Sequence, residues 1–321
     1  MTRRSAVPPP ITAVLDASSR WLPARLGQVE DLLLEQVSGH GELLAADAGS
    51  TLAAGGKRLR PLLVLLCAGP EGGAAAVRAA TAIELVHMAT LVHDDILDAA
   101  PLRRGRPTVV AASGRGRAVG AGDLLFSRAF ALLAAAGDGR AIELLAAASV
   151  ALARGELAQR QDAFDIDVSE QRYLERCRLK TATLFRCAVL LGHDDEALAE
   201  FGSAIGLAFQ LLDDVLDVAG PPERTGKARG TDLLDGTVTL PLILAVEREP
   251  ALAATDLRRL DPAAAEVLCD RIAATGALDD VRARALEMVA AAKAGLDGAG
   301  LEAEQRRLLD LVADGVVQRY A

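Results

Sequence analysis

From Ala74 to Asp98 the chain runs without a glycine or a proline and is apolar nearly all round. A segment of that kind forms one long helix and has to be buried on most of its sides. Helical spacing recurs elsewhere. Leu26, Val29, Leu32, Leu33 and Val37 follow the 3.6-residue period. After Gly55-Gly56, Lys57 to Ala68 reads as a buried helix, with Pro61 near its start, where proline is tolerated. Further helices are expected near Gly122–Ala136, Ala141–Asp162, Ser169–Leu191 and Asp195–Val218, and again from Leu240 onward. Hydrophobic residues make up 51% of the 321 and aromatics only 3%. The apolar share is mostly Ala, Leu and Val, and the first two favour helix. No alternation typical of strands persists. The expectation is an all-α fold in a single domain.

The net charge of −9 argues against general nucleic-acid binding. Cys67, Cys177, Cys187 and Cys269 are far apart and have no metal-ligand spacing, so they read as small buried hydrophobes of a reducing, cytoplasmic protein. No stretch of about 18 residues is both apolar and free of charge, so no membrane span is expected. The start, MTRRSAVPPPITAV, has no secretory apolar region. Its basic character would also suit part of an organellar transit peptide, but Pro8, Pro9 and Pro10 resist helix, and residues 1–20 read as a flexible tail. Gly220-Pro221-Pro222 stops a helix abruptly. The polar segment from Glu223 to Thr237 is long for a simple connection, and such loops often carry function.

Two acidic triplets stand inside the apolar runs. Asp94, Asp95 and Asp98 follow IELVHMATLV, and Asp213, Asp214 and Asp217 follow IGLAFQLL. Positions i, i+1 and i+4 of a helix cluster on one side. One such DDxxD alone is as readily a solvated acidic face. Two of them on largely buried helices are different, because adjacent buried carboxylates repel unless cations compensate them. An all-oxygen donor set suits magnesium rather than zinc.

The cations are unevenly chosen. The only lysines are Lys57, Lys180, Lys227 and Lys293, and the first three lie in GGKRLRP, LKTATLF and TGKARGTD. Lysine is a compact point charge suited to phosphate oxygens. Lys57 and Arg60 are three apart, on one face of the expected helix. Arg103 and Arg104 lie in the loop after the first triplet, where they could simply pair with its carboxylates or complete a diphosphate cage. His87 is two helical turns before Asp94 and shares its face, although a lone histidine there is more often a core residue. His93 points elsewhere and reads as structural. Gln210 is one turn before Asp213, and a buried glutamine needs partners. Thr181, beside Lys180, could face the same site or bond its own helix.

At these residues the chain closely resembles the trans-polyprenyl diphosphate synthase family. The carrying segments are GGKRLRP, HDDILDAAPLRRGRPT, GDLLFSRAF, LKTATLF, FQLLDDVLDVAG and GKARGTDL…TLP, in this order. The resemblance implies a helical bundle of the isoprenoid synthase type with a central cavity, spanning 21–321. It implies magnesium ions, about three with an allylic diphosphate bound, held by Asp94, Asp95, Asp98, Asp213, Asp214 and Asp217. It places Arg103, Lys180 and Lys227 on the allylic diphosphate, and Lys57, Arg60, His87 and Arg104 on isopentenyl diphosphate. Thr181 and Gln210 match polar residues near the reacting carbon. A homodimer is implied as well. The implied reaction needs no protein nucleophile, and no Ser–His–Asp or Cys–His grouping is evident.

One departure stands out. Many family members carry a lysine where this chain has Thr237, in DGTVTLP. That puts affinity for the allylic substrate in doubt more than the reaction. The resemblance also implies a product channel beneath the first triplet, with Ala89 and then Thr90 at the level that sets product length. Five residues span about 7.5 Å of helix, and a small residue at that depth leaves a channel open, favouring products of about six to ten isoprene units. Phe126 or Phe130 could close it deeper down, which keeps a short-chain geranylgeranyl-type or farnesyl-type synthase as the alternative. A non-catalytic subunit is the remaining alternative; such subunits typically lose an aspartate motif.

Overall fold

A computed structural model describes residues 9–18, 21–220 and 229–318. Among these, the regular structure is helical apart from one two-stranded hairpin. The chain forms two compact units. One comprises Met1–Ser149, Cys187–Ala199 and Ala299–Val312; the other comprises Val150–Arg186, Glu200–Gly298 and Ala313–Ala321.

The first unit opens with α1 (Pro9–Ala17), α2 (Trp21–Val37), α3 (Glu42–Ala53), α4 (Leu59–Ala68) and α5 (Gly73–Leu97). The hairpin follows, with β1 (Leu102–Arg103) and β2 (Arg106–Pro107), and then α6 (Val109–Ser113) and α7 (Arg115–Ala135). α5 packs against α7, α4 and α2. Its all-round apolar sequence is buried as expected, including Ile83, Leu85, Val86 and Met88. Each such side chain contributes about 1.5–3 kcal/mol by leaving water. Gly122 lets α7 approach closely, because a Cβ there would collide with the His93 ring.

The second unit takes in the end of α8 (Gly139–Gln161), α9 (Glu170–Cys177) and the start of α10 (Thr183–Gly192). It continues with most of α11 (Glu196–Ala219), α12 (Thr231–Leu234), α13 (Leu240–Arg248), α14 (Pro262–Ala274) and α15 (Ala277–Gly295), and takes the end of α16 (Ala303–Gln318). α13 packs on α15, α14 and α9. Ser169 and Asp261 cap α9 and α14, each accepting a backbone N–H three residues on.

Several expectations need correction. The helix expected from Lys57 begins at Leu59, because Arg58 has a left-handed backbone with φ 49°. Lys57 therefore does not share a helix face with Arg60. α7 begins at Arg115, well before Gly122, since Gly120 and Gly122 are tolerated inside it. The helix expected over Ser169–Leu191 is interrupted by a wide π turn, Arg178–Ala182. The loop after the first triplet is the hairpin, and the polar segment contains α12. Pro9 and Pro10 do not prevent helix. They occupy the first turn of α1, where no backbone N–H is needed, and Arg307 donates to the carbonyl of Ala17 at its end.

Two helices, α5 with the short 3-10 turn before it and α7, are long and apolar enough to cross a membrane by length and composition alone. The apolar stretch of α5 is mostly buried within the protein, as in a core helix.

Candidate active site

The first unit presents the first triplet at the end of α5. Asp95 is buried, Asp94 half-buried and Asp98 exposed. The chain then turns back sharply. Arg104 and Gly105, both with positive φ, form a two-residue turn between the paired residues Arg103 and Arg106. Arg103 thereby reaches Asp95, with its Nε 2.8 Å from Oδ1.

A basic group gathers beside α5. Burial pushes the Arg60 guanidinium down to about 10, against the pull of Glu84. Arg58 donates to Glu84 at 2.8 Å and to Glu30 at 2.6 Å. A Cβ on Gly56 would lie 2.8 Å from Arg58, 3.3 Å from Arg104 and 3.7 Å from Glu84, so a bare glycine lets these side chains meet. His87 is held well below its usual range, first by burial and then by Arg60, Arg104, Arg103 and Arg58. The structure thus brings together Arg60, His87, Arg103 and Arg104, all singled out in the sequence. Lys57 is half-buried and precedes α4. Arg58 and Glu84 were missed. Arg58 stands in GGKRLRP, and Glu84 lies three residues before His87 on its helix, which were the available signals.

His93 has the structural place expected of it. It stacks on Phe126, ring centroids 5.8 Å apart, with Nε2 3.6 Å from Asp123. Ala89 is fully buried. The Thr90 hydroxyl donates to the carbonyl of His87, and Phe130 is half-buried on α7.

The second unit presents the other triplet on α11. Here too the middle carboxylate is the buried one: Asp214 is 2% exposed, Asp213 exposed and Asp217 half-buried. Tyr173 donates to Asp214 Oδ2 at 2.5 Å, and Gln210 Nε2 donates to Oδ1 at 2.7 Å. The Thr181 hydroxyl donates to Gln210 Oε1 at 2.7 Å. Burial raises the Asp214 carboxyl well above the carboxylate range and Asp232 adds to this, while the Tyr173 and Gln210 donors oppose it. Asp217 accepts the backbone N–H of Asp232 at the start of α12.

Lys180 lies in the π turn and is ion-paired with Glu156 of α8. Burial would raise the Glu156 carboxyl, but Lys180 and Arg160 outweigh it and hold it below its usual value. Gly155 makes the approach possible, since a Cβ on it would lie 2.6 Å from the backbone nitrogen of Lys180. Tyr173 and Glu156 were missed in the sequence, where neither lies near a motif. Thr237 is half-buried, with its N–H donating to the carbonyl of Asp232. Lys227 lies outside the described residues.

Among the described residues, no three His, Cys, Asp or Glu side chains are gathered closely enough to hold a metal ion. The four cysteines are buried free thiols. Burial pushes Cys67, Cys177 and Cys187 up to about 12 and Cys269 up to about 11.

The polyprenyl synthetase family profile matches residues 42–275. The heptaprenyl diphosphate synthase component 2 of Geobacillus stearothermophilus is 40% identical over 250 residues, covering 75% of this chain and 78% of that protein. The octaprenyl diphosphate synthase of Escherichia coli K12 is 36% identical over 228 residues, covering 68% and 71%. The fold matches the crystal structure of a polyprenyl synthase from Caulobacter crescentus CB15 complexed with calcium and isoprenyl diphosphate. That match has a TM-score of 0.90 and 36% identity, and covers 99% of this chain and 100% of that one. With its all-α isoprenoid synthase fold, the chain belongs to the polyprenyl synthetase family.

Proposed function

We propose that the protein is a trans-prenyltransferase that condenses isopentenyl diphosphate with an allylic diphosphate and builds a long all-trans polyprenyl diphosphate. The observation that carries this reading is the basic group of Arg60, Arg103 and Arg104 around a neutral His87, beside the first acidic triplet. Fixed guanidinium groups next to carboxylates suit a diphosphate accompanied by cations. The related heptaprenyl and octaprenyl synthases favour a long product.

The donor chemistry fits magnesium, because the triplets offer oxygen alone. Asp94, Asp95 and Asp98 in one unit and Asp213, Asp214 and Asp217 in the other would hold the metal ions, the outer members of each triplet being the more exposed. The related enzyme with bound calcium and isoprenyl diphosphate supports a divalent cation here. When bound, magnesium neutralises charge on the diphosphate and makes it a better leaving group. Arg103, Lys180 and Lys227 grip the allylic diphosphate. Lys57, Arg60, His87 and Arg104 hold isopentenyl diphosphate. The allylic C–O bond breaks with its electron pair going to pyrophosphate, and these cations stabilise the developing charge. The isopentenyl double bond supplies the electrons of the new C–C bond, and loss of a proton to the released pyrophosphate restores the alkene. Thr181 and Gln210 sit near the cationic carbon.

Residues 21–321 form the catalytic domain in this reading, and two copies form a homodimer. Ala89 leaves the product channel open. A second reading is favoured by the name of one relative, component 2 of a heptaprenyl synthase: the chain would then need a different partner subunit.

The purified chain, incubated alone with magnesium, labelled isopentenyl diphosphate and an allylic primer, tests these points together. Turnover by a homodimer in light scattering is expected; activity only after a second protein is added supports the partner reading. Asp94→Ala and Asp213→Ala should each remove most turnover while leaving the helical circular dichroism intact. Unchanged rates would refute the metal assignment. A dominant product of four isoprene units or fewer would overturn the long-chain reading.

A further inference from the structure

Hydrogen bonds have a direction, and in the second unit those of four side chains converge on Asp214: Tyr173 donates to it from one side, and on the other Thr181 donates to Gln210, which donates to it in turn. Tyr173 donates its phenolic proton to Asp214, which takes that bond on Oδ2. Its other oxygen, Oδ1, faces Gln210 and calls for a donor, so the Gln210 amide turns its NH2 inward. That turn leaves Gln210 Oε1, an acceptor, facing Thr181. The Thr181 proton is therefore committed to Gln210, and lone pairs of Thr181 Oγ1 are directed away from that bond. The chain crosses three elements, namely α9, the π turn and α11, which no local pairing along one helix would do.

We infer that Tyr173 is a positioning residue for prenyl transfer: through Asp214 and Gln210 it fixes the Thr181 hydroxyl so that an electron-rich oxygen, not a proton, is presented to the developing allylic cation. This rests on the proposed prenyltransferase function. A hydroxyl free to rotate, or bonded through its oxygen to another donor, would have to reorganise as the carbocation forms. An oxygen lone pair held in place at no reorganisation cost stabilises it. The backbone contributes to the same end. Tyr173 and Cys177 lie one turn apart on α9, and the π turn that follows adds width where Thr181 has to reach α11. Cys177 remains a neutral thiol, with its pKa pushed up to about 12 by burial, and brings no charge to the chain.

A tyrosine kept merely to fill the core would affect stability and nothing else, so the test reads a coupling. Steady-state kinetics would be measured for the intact protein, Tyr173→Phe, Thr181→Val and the double variant, each checked for folding by thermal unfolding. Tyr173→Phe should lower kcat about tenfold with KM for isopentenyl diphosphate within about twofold. In the Thr181→Val background the same change should cost less than about twofold, because the residue it acts through is gone. Thr181→Ser, which keeps the hydroxyl, should restore the sensitivity to Tyr173→Phe. Equal losses in both backgrounds, or no loss in either, overturn the proposal. If Tyr173→Phe does not fold, Gln210→Leu interrupts the chain at a half-buried position, and an unchanged kcat there overturns it equally. A wild-type protein without prenyl transfer would instead defeat the functional reading itself, a result distinguishable from either.

Discussion

The Arg103 guanidinium lies with Nε 2.8 Å and a terminal nitrogen 2.7 Å from one oxygen of the buried Asp95 carboxylate. One cation thus neutralises the innermost member of an acidic triplet. Taking the cation away leaves a charge with little water around it. Arg103→Ala should destabilise the protein by about 1–3 kcal/mol, below the cost of a fully buried pair because Arg103 is itself partly exposed. Arg103→Lys should recover part of this, since it restores charge without the planar fork. Urea midpoints at constant slope measure both, and equal midpoints for all three proteins would contradict the pairing.

Gly122→Ala tests the contact between α5 and α7. The new methyl would occupy the space of the His93 ring and push it off Phe126. A loss of about 1–3 kcal/mol is expected from such overpacking. His93→Ala in the same protein should return part of it by giving the methyl room, which a cycle of denaturation curves would reveal.

Gly155→Ala should act on activity more than on stability. Its methyl would stand 2.6 Å from the Lys180 nitrogen and 3.0 Å from the backbone of Leu179, and backbone cannot rotate away. The π turn has to shift, carrying Lys180 and Thr181 with it. Misplacement by about 1 Å can cost on the order of a hundredfold in rate. Kinetics beside a melting curve separate the two effects; a normal kcat/KM would show that the turn tolerates the shift.

His87 ties stability to pH. Its folded-state pKa is depressed from 6.5 by burial and four arginines, so the unfolded chain takes up the proton first as pH falls. The contribution of the neutral imidazole is complete above the unfolded value. It is lost progressively from pH 6.5 downward, toward the lower folded value. His87→Gln should flatten the stability curve in that window and leave its slope above pH 7.5 or so nearly unchanged. Denaturant titrations across the range would show it, and parallel curves for both proteins would argue against a depressed pKa.

The helices and the acidic triplets were legible because their signals are local. The run from Ala74 to Asp98 needs no tertiary information to be helical, and α5 ends within a residue of the expected place. The triplets follow from spacing on a helix. What was not legible depended on contacts across the sequence. Glu156 meets Lys180, and Tyr173 meets Asp214 across 41 residues, with no pattern at either end announcing the pair. The π turn at Arg178–Ala182 has no composition of its own, so the Ser169–Leu191 stretch read as one continuous helix. Lys57 was placed on a helix because GGKRLRP lacks a stop signal after the glycines; the left-handed backbone of Arg58 supplied one.

The Arg104-Gly105 turn has a consequence for how the family's chains can vary in length. Two neighbouring arginines are sent to different places: Arg103 pairs with Asp95, and Arg104 reaches the Gly56 side. A two-residue turn of this hand admits neither one residue more nor one fewer without changing which side of the ribbon each arginine faces. The turn is therefore a length gauge. Insertions that surface loops ordinarily absorb would here exchange the partners of two cations at once, and relatives that keep both roles are expected to keep the spacing from Asp98 to Thr108 unchanged.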